Sequence, residues 1–149
     1  MSVWRPPRTV RPIAIGIVRR REELLVMAVR DEHDAIKGWR PVAGTIEFGE
    51  RAAETLKREF IEELGLTVVE PTLLTVLENL YTHNGAAGHE IVFVFETRLV
   101  DAAQYARETF FFEDGGDRHE ARWVALSDFL GREAALFPGG LLEKLQKSN

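Results

Sequence analysis

The sequence predicts an α+β fold in a single domain. Its 149 residues lie near the commonest domain length, which allows about two-thirds of the unfolded surface to be buried. The segment from Ala52 to Leu64 has helix-forming residues without glycine or proline, and Gly65 follows where a left-handed C-terminal cap is expected. Apolar runs of strand length, rich in β-branched and aromatic residues, lie on both sides of this helix. One domain, residues 1–149, follows from this pattern.

The segments before the helix are predicted to be an arm and three strands. Residues 1–11 are rich in proline and arginine, which indicates an N-terminal arm with solvated arginines. The apolar runs Ile13 to Val18 and Leu24 to Val29 are separated by five charged residues, which predicts a hairpin. Gly38 to Val42 is predicted to be extended and to lead into the helical region.

Three strands and a terminal helix are predicted after Gly65. The strands are Leu73 to Tyr81, Glu90 to Leu99 and Ala121 to Leu126, and the helix is Gly140 to Lys147. A loop containing glycine and asparagine, Thr82 to Gly88, joins the first two of these strands. Ser127 or Asp128 suits the N-cap of a short helix after the last strand.

Composition and charge exclude several functional classes. A net charge of −5 argues against binding of a nucleic acid polymer, which requires a clustered basic face. The chain contains no cysteine, so disulfides, thiol chemistry and zinc-thiolate sites are excluded. No apolar run approaches the length of a membrane span, and no signal-peptide core is present. We therefore expect a cytoplasmic protein without membrane partners, and a homodimer is left open.

The helix from Ala52 to Leu64 carries two distinct faces. One face is apolar, with Ala53, Leu56, Phe60 and Leu64. The neighbouring face carries Glu59, Glu62 and Glu63, whose i, i+3 and i+4 spacing is expected to bring three carboxylates together. Such like-charge pairs cost a few tenths of a kcal/mol each in a helix, which suggests a bound cation. Carboxylates suit Mg²⁺ or Mn²⁺. Arg58 lies four residues after Glu54 and four before Glu62, and is expected to orient the acidic side chains.

The acidic face has a simpler interpretation as a solvated surface. The surrounding pattern argues against it, because the residues from Gly44 to Leu66 read GTIEFGERAAETLKREFIEELGL. They match G-x5-E-x7-R-E-U-x-E-E-x-G-U, where U is a bulky apolar residue, at every fixed position. The match includes Glu50, Arg58 and both glycines in register, which chance does not explain.

This pattern resembles the Nudix box, the signature of the Nudix hydrolases. The likeness extends to Arg40-Pro41-Val42-Ala43-Gly44, to His89 to Phe95 and to Arg122-Trp123-Val124, and covers about Ile13 to Phe129. The resemblance implies an α/β/α sandwich with a mixed sheet. It also implies a Mg²⁺-dependent enzyme, with Mn²⁺ as an alternative, that hydrolyses the diphosphate linkage of a nucleoside diphosphate derivative.

The resemblance assigns metal ligands by position. Glu59 and Glu63 correspond to the principal ligands and Glu62 to a further or water-mediated one. The backbone carbonyl of Ala43 or Gly44 completes the protein's contribution. Ala43 is a departure, because many members have a second glycine there, and alanine tolerates positive φ less well than glycine.

The general base and the substrate contacts are assigned less directly. The base is either Glu59 or an acid on a later loop, and Phe110 to Glu120 is expected to form a mobile loop of this kind. Its acids are Glu113, Asp114, Asp117 and Glu120. Glu120 is the preferred choice because it directly precedes the last strand. Trp39, which stacks on a base or simply packs, and Arg40 are the candidates for substrate contacts.

Two other functions are weighed against hydrolysis. A nucleotide-binding sensor with this fold would not need an intact box, and this box is intact. An isoprenoid diphosphate isomerase would use a similar metal scaffold together with an added cysteine nucleophile or acid partner, and the chain has no cysteine. The loops that recognise the base, sugar or leaving group do not reveal which nucleotide is bound.

Overall fold

The computed structural model describes residues 3–114 and 116–147, and its strands form two sheets. The first sheet has the order β5-β1-β7-β6. Its strands are β1 (Val10–Ile17), β5 (Val42–Thr45), β6 (Thr72–His83) and β7 (Ala86–Glu96). Because β1 is parallel to β7 and the other pairs are antiparallel, this sheet is mixed, as expected.

The second sheet is antiparallel throughout its described part. Its strands are β2 (Arg19–Arg20), β3 (Glu23–Arg30), β4 (Ile36–Arg40), β8 (Thr109–Asp114) and β9 (Asp117–Ala125). Strand β3 is central, since it pairs with β2, β4 and β9, and β8 is added beyond β9.

Helices cover both sides of the sheets. They are α1 (Ala52–Leu64), α2 (Leu126–Leu130) and α3 (Leu141–Lys147), with a short 3-10 helix at Ala102–Ala106. Helix α1 has its predicted bounds, and Gly65 adopts φ 65° as its C-cap. Leu56 and Phe60 of α1 are fully buried in one core, whereas Leu141 and Leu145 of α3 are buried in the other. The α+β class and the α/β/α arrangement are confirmed.

The predicted hairpin between the first two apolar runs is confirmed only at its turn. Strand β1 pairs with β5 and β7 in the first sheet, and β3 lies in the second sheet. A short hairpin is present at the turn, where Arg19 and Arg20 of β2 pair with Leu24 and Glu23 of β3 and the amide of Leu25 donates to the carbonyl of Val18. The charged segment therefore carries the chain from one sheet to the other. The body of the first run does not pair with the second because β1 pairs in parallel with β7, which lies far along the chain.

Two predicted loops are also corrected. The described residues of the segment Phe110 to Glu120 belong mostly to the paired strands β8 and β9, with Phe111 opposite Glu120, and not to a loop. The side chains of Asp114 and Asp117 lie outside the described part of the structure. The loop Thr82 to Gly88 shortens to a two-residue turn, because β6 continues to His83 and β7 begins at Ala86.

Smaller differences concern the chain ends and caps. Arg11 was expected in a solvated arm, but it lies in β1 and pairs with Glu90. The N-cap of α2 is Ala125, so neither Ser127 nor Asp128 has that role. Within the described ranges, none of the helices is long and apolar enough to cross a membrane.

Candidate active site

Strand β5 and helix α1 bring the box together. Gly44 lies on β5 opposite Ala14, and its Cα faces the side chain of Glu59. A Cβ atom at position 44 would overlap Glu59, so only glycine permits this close approach. The neighbouring residue Ala43 is buried on the same strand and is not among the residues with positive φ. Alanine at position 43, where many family members have glycine, therefore causes no backbone strain.

The Arg58 side chain connects the acids of the box. Its Nε and Nη2 atoms donate to the two carboxylate oxygens of Glu50 at 2.8 and 2.9 Å, which is a bidentate pair. Its Nη1 donates to Glu59 at 2.8 Å and to Glu62 at 3.2 Å. Nη2 also donates to the carbonyl of Thr45 at 3.3 Å, which connects α1 to β5. This is the orienting arrangement expected for Arg58.

Glu50 is the main partner of Arg58, which helical spacing did not reveal. The hydrogen bonds from Arg58, followed by that from the buried hydroxyl of Thr55, lower the pKa of Glu50 to about 2. Glu54 lies four residues before Arg58 but pairs with Arg51 instead, at 3.9 Å. The fixed glutamate of the motif therefore anchors the arginine from the loop before α1.

Glu63 differs from the other acids of the helix. Its Oε2 atom is buried and has no hydrogen-bond partner among the described residues. Burial above all, with added contributions from the carboxylates of Glu59 and Glu62, raises the pKa of Glu63 to about 7 against the opposing positive charge of Arg40. A buried carboxylate oxygen without a donor is unfavourable unless a cation or proton satisfies it. This is the least satisfied group of the box.

The expected convergence of three carboxylates is only partly seen. Glu59 and Glu63 both line a cavity, whereas the side chain of Glu62 is 49% exposed and turned to Arg58. In the part of the chain that the structure describes, no three acidic or histidine side chains form a group that could hold a metal. Two carboxylates nevertheless suffice for Mg²⁺, which is usually held by one or two together with waters and substrate phosphates.

The cavity has a volume of about 670 Å³, which is within the usual range for a small-molecule site. Its walls come from both sheets and from α1. The box supplies Ala43, Gly44, Glu59 and Glu63 at one end. Arg40, at the end of β4, also lines it and has no acidic side chain within ion-pair distance among the described residues. An unpaired guanidinium beside two carboxylates can contact an anion bound through a metal.

Two predicted site residues lie apart from this cavity. Trp39 packs partly buried on β4, with the guanidinium of Arg122 4.9 Å from its ring centroid, and lines a separate depression of about 460 Å³. Glu120 lies on β9 and accepts a hydrogen bond from Arg122 at 3.5 Å. Neither is among the described residues that line the large cavity. Their roles stay predictions.

The far end of the cavity contains residues that the sequence did not single out. Glu90 on β7 accepts hydrogen bonds from Arg11 at 2.7 Å, from Tyr81 at 3.0 Å and from Asn79 at 3.3 Å. Trp4 of the N-terminal arm lines the same end. No local pattern predicts the contacts among these residues, because three strands and the arm must assemble before they meet.

The fold and the cavity define an α/β/α protein in which an acidic helix faces a site of ligand size. The family model described as the NUDIX domain matches residues 10–145. The chain therefore belongs to the Nudix family, and membership indicates a hydrolase of nucleoside diphosphate-linked compounds in general.

Comparison with solved structures gives the same fold. A Nudix hydrolase from Nitrosomonas europaea is 18% identical with a TM-score of 0.66, covering 94% of this chain and 88% of that chain. MutT proteins from Bacillus halodurans and Methanosarcina mazei are each 20% identical, with TM-scores of 0.63 and 0.61. They cover 94% and 98% of this chain, and 81% and 95% of their own. Comparison with curated proteins gives no match.

Proposed function

We propose that this chain is a divalent-metal-dependent pyrophosphohydrolase that cleaves the diphosphate linkage of a nucleoside diphosphate derivative. The observation that carries the proposal is the buried Oε2 of Glu63, which has no hydrogen-bond partner among the described residues and lies in a side chain lining the cavity. The intact box around it and membership of the Nudix family support the same activity.

The residues present fit a magnesium ion. Glu63 offers an unsatisfied oxygen, Glu59 lies beside it on the cavity wall, and the glycine at position 44 leaves room for the Glu59 carboxylate. Glu59 and Glu63 would hold the ion, with the carbonyl of Ala43 or Gly44 and, through water, Glu62 as further contributors. When bound, Mg²⁺ or Mn²⁺ would neutralise phosphoryl oxygens and lower the pKa of an attacking water.

The other side chains act on the substrate and on the acids. Arg58 orients Glu59 and Glu62 without lining the cavity, so we assign it a positioning role. Arg40 is free to contact the phosphate oxygens of the substrate. For the general base we favour Glu59, since it lines the cavity, over Glu120, which pairs with Arg122 on β9.

A substrate panel tests the proposed activity. The panel contains deoxynucleoside triphosphates, oxidised nucleotides, nucleotide sugars, ADP-ribose and dinucleoside polyphosphates, each incubated with Mg²⁺ and analysed by mass spectrometry. We expect cleavage of at least one diphosphate linkage, and loss of that activity by a factor on the order of a thousand in Glu63→Gln.

Glu54→Gln is the matched control for this substitution. It makes the same chemical change on the same helix, at a carboxylate that is 56% exposed and paired with Arg51. Its activity should equal that of wild type. Nucleotide binding without turnover would favour the alternative of a non-catalytic sensor. Wild-type turnover by Glu63→Gln at saturating Mg²⁺ would contradict the assigned metal site.

A further inference from the structure

The N-terminal arm, residues 3–9, contributes one wall of the cavity. It precedes the residues that the family model matches, which begin at residue 10. Trp4 of the arm lines the cavity although it is 53% exposed. A large aromatic side chain that is half exposed at the edge of a cavity is well suited to contact a ligand.

The arm is held against the turn between β6 and β7. Asn84 donates from Nδ2 to the carbonyl of Trp4 at 2.9 Å, and its own carbonyl accepts from Nε of Arg5 at 2.9 Å. Asn84 and Gly85 have φ of 51° and 79°, which is the conformation of a tight type I′ hairpin turn. The backbone of Trp4 is thus bonded to a turn of fixed geometry, which anchors this end of the arm beside the cavity.

Two side chains of the sheet pack around the indole. The guanidinium of Arg11 lies 5.1 Å from the Trp4 ring centroid, and the His83 ring lies at 5.8 Å with a tilt of 47°. Arg11 is itself fixed by its 2.7 Å ion pair with Glu90, and both side chains are largely shielded from solvent. A supported aromatic plane next to a cation is the arrangement that nucleobases use for stacking.

Trp4 lies away from the acids of the box. Along β1, Ala14 pairs with Gly44 and Arg11 pairs with Glu90, so three residues separate the two ends of the cavity. At about 3.3 Å per residue this separation is about 10 Å along the strand. A ligand whose phosphates contact Arg40 and the box would therefore extend its other end towards Trp4.

We propose that the N-terminal arm forms the nucleobase end of the site, with the Trp4 indole as the surface on which the base stacks. Asn84 positions the indole, and the Arg11–Glu90 pair supports it. The inference rests on the proposed function, because it takes the ligand to be a nucleoside diphosphate derivative.

Equilibrium binding tests this inference without relying on turnover. The probes are ADP, GDP, CDP and UDP, with inorganic pyrophosphate as the probe that lacks a base, each titrated by calorimetry in Ca²⁺ to suppress hydrolysis. Trp4→Ala should weaken binding of the tightest nucleotide by about 5- to 100-fold, the effect usual for one stacked base. Its affinity for pyrophosphate should stay within about twofold. Trp4→Phe should retain most of the nucleotide affinity.

Two further variants separate stacking from a general effect on the fold. Asn84→Gly keeps a residue that accepts positive φ but removes the side-chain donor to Trp4, so it should weaken nucleotide binding less than Trp4→Ala and leave pyrophosphate unchanged. Phe111→Ala removes another exposed aromatic, which does not line the cavity, and should change neither affinity. Nucleotide binding should also quench tryptophan fluorescence in wild type and not in Trp4→Phe.

The outcomes distinguish this inference from the proposed function. If Trp4→Ala binds every nucleotide as wild type does, or loses nucleotide and pyrophosphate equally, the arm does not recognise the base and the inference is wrong. Hydrolysis by wild type would then still stand. If wild type neither binds nor cleaves any nucleotide of the panel, the proposed function fails and the inference fails with it.

Discussion

Replacing Arg58 by lysine tests whether one planar guanidinium organises the acids of the box. In the structure its three nitrogens donate to Glu50, Glu59, Glu62 and the Thr45 carbonyl. Lysine keeps the charge but presents its donors from a single atom, so it cannot reach Glu50 in bidentate fashion and Glu59 at the same time. We expect Arg58→Lys to keep one of these partners and to lose the others.

The magnitude follows from the hydrogen bonds that are lost. At least two charge-assisted bonds disappear, and each contributes about 1.5 to 3 kcal/mol in protected surroundings. The Arg58 side chain is 26% exposed, so the lower part of this range applies. We therefore predict that the free energy of unfolding falls by about 3 to 4 kcal/mol. Misplacing a residue that orients ligands should also lower metal affinity or turnover by about 10- to 100-fold.

Urea denaturation in EDTA measures the stability change, and Mg²⁺ titration of the hydrolysis rate measures the functional change. Arg51→Lys is the matched control, because Arg51 is 90% exposed and pairs with Glu54 only at 3.9 Å. Its stability should stay within about 0.5 kcal/mol of wild type. An unchanged stability of Arg58→Lys would refute the network. A higher KM alone, with metal affinity unchanged, would instead place Arg58 in contact with the substrate.

Three further predictions concern single side chains of the site. Gly44→Ala should abolish Mg²⁺-dependent turnover by displacing Glu59, and wild-type turnover by this variant would contradict the close approach of Glu59 to Gly44. Glu59→Gln should remove both the rate and the acidic limb of the pH–rate profile, and Glu120→Gln should retain both; the reverse result would make Glu120 the base. Because the pKa of Glu50 is lowered to about 2, its stabilising contribution is present above the unfolded value of 4.5 and is lost as the pH falls towards 2. In EDTA, Glu50→Gln should therefore flatten the decline of stability in that pH window, and an unchanged slope would count against the Arg58–Glu50 pair.

Local patterns predicted those parts of the structure that local interactions determine. The bounds of α1 are correct because the apolar stripe, the absence of glycine and proline, and Gly65 all lie within one short segment. The fold class and the Nudix family are likewise confirmed. The hydrogen bond from Arg58 to Glu62 agrees with their i, i+4 spacing, whereas Glu54, four residues before Arg58, pairs with Arg51 instead.

The errors arose where partners lie far apart in the chain. The charged segment between β1 and β3 has the composition of a hairpin turn, but β1 is taken by β7 in parallel pairing. Acids and glycines made the region of β8 and β9 resemble a loop, although Phe110 and Phe112 alternate with Phe111 as in a strand. The contact of Trp4 with Asn84 spans 80 residues, and nothing near either residue indicates it.

The acidic side chains of the box differ in how well they are hydrogen-bonded, and this difference separates the acids that stabilise the helix from the acid that is available to a cation. Arg58 neutralises Glu50, Glu59 and Glu62 from the side of the helix that faces the loop and β5. None of the hydrogen bonds described for Arg58 goes to Glu63. The buried Oε2 atom of Glu63 has no hydrogen-bond partner among the described residues. The hydrogen bonds of Arg58 therefore fix the helix in place, while Glu63, which also lines the cavity, keeps an unsatisfied oxygen. A cation that binds Glu63 removes the cost of burying an unsatisfied carboxylate oxygen. It breaks neither hydrogen bond between Arg58 and Glu50, so metal binding at the proposed site leaves the pair that holds the helix intact.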